Sequence, residues 1–233
     1  MKILSTLTRD LVNLIYPSNC EACGDELLGN EKIICVSCWH LMPRTMYHLQ
    51  ANNPVVQKFT GRIPVQFGTS MYYFNKDTRV QHVLHALKYK NKKEVGIQLG
   101  QRVGNELINS PPVKDIDLII PIPLSKQKLR KRGYNQSDCI ASGMSERLHI
   151  PIDTTSVIRR KNTQSQTTMT VGERIDNVKN AFEVIQVNAL VKKHILLLDD
   201  VLTTGATLES CAKEILKLPG TRISILTLAC AIE

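Results

Sequence analysis

The stretch Ile195-Leu196-Leu197-Leu198-Asp199-Asp200-Val201-Leu202-Thr203-Thr204-Gly205-Ala206-Thr207 decides how this chain is read. Its leading apolar residues, Ile195 to Leu198, suit a strand buried on both faces and are too few for a free-standing helix. Asp199 and Asp200 stand where that strand ends. A small, hydroxyl-rich loop follows, and then Leu208, Cys211, Ala212 and Ile215 recur at helical spacing. The order is strand, acidic pair, loop, helix.

That order carries a chemistry. A loop of small residues lets several backbone N–H groups converge on one anion, and Gly205 permits a turn that a Cβ hinders. The helix behind it points its positive end at the same spot. The threonine hydroxyls add donors, so Val201 to Thr207 suit a phosphate monoester. Asp199 and Asp200 can accept from a sugar diol or help hold a hydrated divalent ion. Phosphate at one end and diol at the other describe a ribose 5-phosphate. No G-K-[ST] follows the loop and no G-x-G-x-x-G is present, so neither a Walker loop nor a dinucleotide fingerprint fits. The segment resembles the 5-phosphoribosyl-1-pyrophosphate (PRPP) signature of type I phosphoribosyltransferases over its full length.

A length of 233 residues accommodates one α/β domain and a small appendage. The apolar fraction of 42% supports a packed core, and no stretch approaches the ~18 to 20 apolar residues of a membrane span. Leu4, Leu7, Leu11 and Leu14 mark a short amphipathic helix that Arg9-Asp10 interrupts, a poor secretory leader. A cytoplasmic location is expected. The net charge of +9 favours polyanionic partners, either nucleotide-like ligands or nucleic acid. Its cations cluster at Lys126, Lys128, Arg130, Lys131 and Arg132, at Lys88, Lys90, Lys92 and Lys93, and at Arg159, Arg160 and Lys161. Such runs are often only solvated faces, but the first cluster lies beside an expected strand end.

Four of the seven cysteines form one pattern, Cys20-x2-Cys23 and Cys35-x2-Cys38, with Gly24 easing the first turn. Four thiolates so spaced fit structural Zn2+. Two disulfides are disfavoured in a cytoplasmic chain, and an iron–sulfur cluster is compatible with the spacing. His40 lies close but is not needed to close the shell. Cys139, Cys211 and Cys230 sit among apolar neighbours and read as small core residues. Trp39 is expected to pack between this module and the main domain.

Residues 43 to 62 are polar and irregular, punctuated by Pro43, Pro54 and Pro64, and read as a linker. Val65 to Phe74 reads as a strand. Asp77 is a candidate N-cap for a helix carrying Val80, Val83, Leu84 and Leu87, with His82 and His85 on its surface. A second helix is expected from Glu94 to Ile108. Leu118 to Pro123 reads as a strand, Ile140, Met144 and Leu148 as a helix face, 159–180 as a polar loop, and Ile223 to Leu228 as a last strand. Strands alternating with helices imply a parallel sheet, whose sites lie beyond the carboxyl ends of its strands.

With Leu87-Lys88-Tyr89-Lys90, Pro121-Ile122-Pro123, Arg132-Gly133-Tyr134-Asn135-Gln136 and Gln164 to Arg174 added, the chain resembles the ComF family. The resemblance implies a type I phosphoribosyltransferase-like parallel sheet flanked by helices, with a small N-terminal zinc-ribbon module. The expected division is 1–45 module, 46–64 linker and 65–233 phosphoribosyltransferase-like domain. It further implies a 5-phosphate held by Thr203, Thr204, Gly205, Ala206 and Thr207, and ribose hydroxyls on Asp199 and Asp200. Pyrophosphate would sit at Pro121, Ile122, Pro123 and Leu124 with Lys126 and Arg130, bridged by Mg2+. A flexible loop bearing Arg160, Gln164 and Arg174 would close over the site. ComF-like proteins are tied to DNA uptake, so single-stranded DNA at Lys128, Arg130, Lys131 and Arg132, and the uptake machinery, are the other expected partners. Two functional classes follow: a phosphoribosyl-transferring enzyme, or a DNA-binding competence factor on the same scaffold.

Overall fold

The computed structural model describes residues 18–76, 78–160 and 181–231. Strands β1 (Gly68–Tyr73), β2 (Leu118–Pro121), β5 (His194–Leu202) and β6 (Arg222–Cys230) form a four-stranded sheet in the order β1-β6-β5-β2. All three pairings are parallel, as the alternation of apolar runs and helical periods requires. Two short strands, β3 (Val157–Arg159) and β4 (Phe182–Val184), pair antiparallel as a separate hairpin. The expected leucine-bearing helix before Pro17, the Asp77 cap and most of the polar loop (161–180) lie outside the described residues.

The alternation along β5 explains the layers. Leu196 and Leu198 face one side, packing with Leu226 and Leu228 against α3 (Arg79–Tyr89), α4 (Lys93–Leu107) and α6 (Gln136–Leu148). Ile195 and Leu197 face the other, packing with Ile223 and Ile225 against α2 (Pro54–Phe59) and α7 (Ala206–Ile215). Helices on both faces bury the central strands completely, which is why β5 reads as an unbroken apolar run. Cys211 and Cys230 are buried in this core, and Cys139 is partly buried against it.

Helices α4 and α6 cross almost backbone to backbone. A Cβ added at Gly100 would lie 2.0 Å from the Ile140 carbonyl oxygen, and one at Gly143 would lie 2.0 Å from that of Ile97. Only hydrogen fits there, so these glycines set how close the two helices come.

The segment expected to be a linker is built into the fold. Pro54 sits in the first turn of α2, a position where its missing N–H costs nothing. Asn53 caps the helix by accepting from Val55 and Val56 N–H, while its amide donates to the carbonyls of Tyr47, Gln50 and Gly68. Val55 and Phe59 are wholly buried. The polar composition misleads because α2 is short and shows one apolar stripe only. The basic run likewise forms a helix, α5 (Lys126–Arg132), capped by Ser125 and ended by Gly133 at φ 78°.

The cysteine module docks on α3 and α4. His82 Nδ1 lies 2.9 Å from the Ala22 carbonyl oxygen, and Glu21 takes ion pairs from Lys90 and Lys92. The Arg102 guanidinium stacks over the Trp39 ring at 5.2 Å, placing Trp39 between module and domain.

Candidate functional site

Asp199 and Asp200 occupy the carboxyl end of β5, and each carboxylate meets a helix of the same layer. Asp200 Oδ2 pairs with Lys88 Nζ of α3 at 2.8 Å. Asp199 Oδ1 accepts from the Asp200 N–H at 2.9 Å and from Ser137 Oγ at 3.4 Å. Burial, and then the Asp200 charge beside it, push the Asp199 carboxyl up to about 7. One acid is therefore neutralised by a lysine and the other stands near its titration point at neutral pH.

Within the motif Arg132 to Gln136, Tyr134 and Asn135 hold this corner. Tyr134 donates its hydroxyl to the Leu87 carbonyl at the end of α3, next to Lys88. Asn135 caps α6 and donates to the Ile122 carbonyl at 3.1 Å. Ile122 N–H in turn donates to the Leu198 carbonyl at 2.8 Å. The chain of bonds ties the ends of β2 and β5 to the start of α6, so Ser137 is delivered to Asp199. Asp138, on the same first turn, is pushed up to about 6 by burial, against the pull of the Asn135 amide.

Thr203 to Thr207 form the turn into α7. Gly205 adopts φ 78°, the left-handed region, with Phe59 Cε1 2.9 Å from where its Cβ would be. Thr203 and Thr204 are exposed, Ala206 and Thr207 half-exposed, while Leu202 is buried and Val201 is half-buried. No acceptor among the described residues takes the N–H of Thr203, Thr204 or Gly205. Sequence reasoning missed two cations here. Lys58 Nζ donates to the Thr203 carbonyl at 2.5 Å, and Arg62 Nη1 donates to the Thr204 carbonyl at 3.4 Å while pairing with Glu209. The capping residue Asn53 before Pro54 is the signal that could have found the helix of Lys58, with Arg62 three residues past its end.

Pro121 and Ile122 are buried at the end of β2, and Pro123 and Leu124 are half-exposed as the chain turns into α5. Lys126, Lys128, Arg130 and Lys131 are exposed on α5, without an ion pair among the described residues. Arg132 stacks on Tyr89, whose ring is 60% exposed. Arg160 pairs with Glu183 at 2.9 Å beside the β3–β4 hairpin, and Gln164 and Arg174 lie outside the described residues.

In the module, the sulfurs of Cys20, Cys23, Cys35 and Cys38 lie within 4.8 Å of one another, and all are free thiols. Backbone N–H groups of Ala22 and Cys35 point at Cys20 Sγ, at 3.4 and 3.3 Å. Four converging sulfurs with amide donors behind them fit a metal ion held as thiolate. His40 is exposed and outside the cluster. A surface groove of about 740 Å3 lies between this module and α4, away from the acidic pair.

The described fold is a parallel sheet with an acidic pair and an open threonine turn at its carboxyl edge, joined to a four-cysteine module. By sequence it is similar to DNA utilization and competence proteins. It is 26% identical over 202 residues to DNA utilization protein YhgH of Escherichia coli (strain K12), covering 85% of this chain and 84% of that protein. It is 37% identical over 114 residues to competence protein F of Haemophilus influenzae, covering 48% of this chain and 50% of that one. Competence protein ComFC of Bacillus subtilis is 31% identical over 100 residues, 43% of this chain and 38% of that one. No family model matches. Among solved structures, the chain is similar to a glutamine PRPP amidotransferase from B. subtilis (TM-score 0.43, 14% identity, 61% of this chain and 30% of that one). It is also similar to a hypoxanthine phosphoribosyltransferase from Staphylococcus aureus (TM-score 0.34, 18% identity, 59% and 64%). No helix among the described residues is long and apolar enough to cross a membrane.

Proposed function

We propose that this protein binds PRPP with Mg2+ at the end of β5 and serves DNA uptake, with the cysteine module holding structural Zn2+. One observation carries the reading: Asp199–Asp200 and a turn with three unpartnered amides stand side by side at one strand end. The amides and the positive end of α7 suit the 5-phosphate. Asp199 and Asp200 suit the ribose diol, and adjacent carboxylate oxygens suit a hard, hydrated cation. Bound Mg2+ would supply charge for the departing pyrophosphate. Lys88 pairs with Asp200, Ser137 donates to Asp199, and Lys126 and Arg130 add positive charge on the pyrophosphate side. Transfer would break the bond from C1 to pyrophosphate and form one from C1 to an acceptor nucleophile, which gives its proton to solvent, with nearby cations offsetting the charge of the departing pyrophosphate. PRPP with Mg2+ should raise the melting temperature, and Asp199→Asn with Asp200→Asn should abolish the rise. Pyrophosphate release with a panel of bases and amines then tells transfer from binding alone.

A second reading is a single-stranded-DNA-binding competence factor on the same scaffold. It is favoured by the free cations of α5 beside the exposed Tyr89 ring, a pairing suited to phosphates and a base. Its affinity should fall steeply with salt and drop on reversing Lys128, Arg130 and Lys131 to glutamate. The names of its DNA utilization and competence relatives support a link to DNA under either reading.

A further inference from the structure

We infer that Lys58 and Arg62 are positioning residues that aim the backbone amides of Thr204 and Gly205 at the bound anion. The inference rests on the phosphate-binding reading of the Thr203–Thr207 turn.

The geometry follows from the planarity of the peptide. No cis bond occurs among the described residues, so each carbonyl points opposite to the N–H of the next residue. The Leu202 carbonyl is held by the Ala231 N–H at 2.9 Å, which turns the Thr203 amide away from β6. Lys58 Nζ holds the Thr203 carbonyl, which turns the Thr204 amide away from α2. Arg62 holds the Thr204 carbonyl, which turns the Gly205 amide the same way. Three consecutive carbonyls are thus fastened, by Ala231, Lys58 and Arg62, and the three amides that follow them are left with no acceptor among the described residues. An unpaired amide is costly wherever water is kept out, and Gly205 is buried. An anion is the partner that a run of free amides ahead of a helix fits.

The cations are themselves fixed. Asn53 anchors α2 to the sheet through the Gly68 carbonyl at 2.8 Å, and Phe59 packs under Gly205. Arg62 is clamped by Glu209, in the first turn of α7, at 2.5 Å. Arg62 is exposed and Lys58 is half-buried, and neither belongs to an apolar core cluster, so their replacement need not unfold the core.

The test uses ribose 5-phosphate as probe and follows the Thr204 and Gly205 amides by 15N–1H NMR alongside calorimetric affinity. In the wild type both amides should move downfield as the probe binds. Lys58→Met should lower affinity about tenfold or more, the loss expected when a charged hydrogen bond is removed. Its Thr204 amide should be displaced before any probe is added, and Lys58→Arg should restore both. Arg62→Met should act likewise on Gly205 and serves as the comparison if Lys58→Met fails to fold. Affinity within about twofold of wild type in both variants, with unmoved amides, overturns the inference but leaves the phosphate site standing. A wild type that binds neither ribose 5-phosphate nor PRPP overturns the phosphate reading itself, and this inference with it.

Discussion

Lys88 Nζ sits 2.8 Å from Asp200 Oδ2, closing the acidic end of β5 with a cation from the helix that carries the cysteine module on its surface. Both side chains are mostly hidden, at 23% and 15% exposure, so water screens the pair poorly. Without it, two adjacent carboxylates would face an incoming dianion. Lys88→Met should therefore weaken PRPP binding by about tenfold, and Lys88→Arg by less. Titration calorimetry of the two variants checks this; equal affinities would place Lys88 outside the site's electrostatics.

Asp199 gives a pH signature. Its folded-state pKa of about 7 exceeds the ordinary 3.8 because burial and Asp200 disfavour its charge. Between those values the folded chain binds more protons than the unfolded one. Its contribution to stability therefore falls as pH rises from about 4 to 7 and levels off above. Asp199→Asn should flatten that slope in urea unfolding measured across the interval. An ionised carboxylate accepts from a diol more strongly than a protonated one, so PRPP binding should strengthen as pH rises through neutrality and should release a proton near pH 7.

Gly205→Ala places a side chain at φ 78° and a Cβ 2.9 Å from Phe59 Cε1. Backbone strain at such a position costs about 1–3 kcal/mol. The expected outcome is a lower midpoint in urea together with loss of ribose 5-phosphate binding. Thr204→Ala, which leaves the backbone free, should retain most of the stability.

The cysteine module should carry one Zn2+ per chain by elemental analysis, falling to near zero in Cys35→Ser with Cys38→Ser. A segment with so small a core depends on its metal for folding. Chelation should release the Glu21 contacts with Lys90 and Lys92 and the Ala22 contact with His82. Hydrogen exchange at residues 20–38 would then rise first, with α3 following.

The sheet, its parallel sense and the β5 turn are legible in the sequence because each has a local cause. Ile195 to Leu198 must be buried on both faces, and Gly205 sits where only a left-handed residue fits. The four cysteines announce their cluster by spacing. What is not legible is tertiary. Nothing near Lys58 says that it reaches Thr203, 145 residues later in the chain. Lys88 reads as one cation of a basic run, and its partner is known only once α3 lies against the end of β5. The Arg132–Gln136 motif can be recognised from sequence, but its physical work, tying Leu87 and Ile122 together ahead of the helix whose Ser137 meets Asp199, needs the fold.

The glycine contact between α4 and α6 reaches further than its location suggests. It sets the height of α6 along its neighbour, and the first turn of α6 carries Asn135, Ser137 and Asp138 to the acidic corner. One methyl at Gly100 or Gly143 must wedge the two rods apart, lifting that turn off the end of β5. A mutation hidden in the interior, touching no ligand and no charge, would then silence the protein as surely as loss of its aspartates.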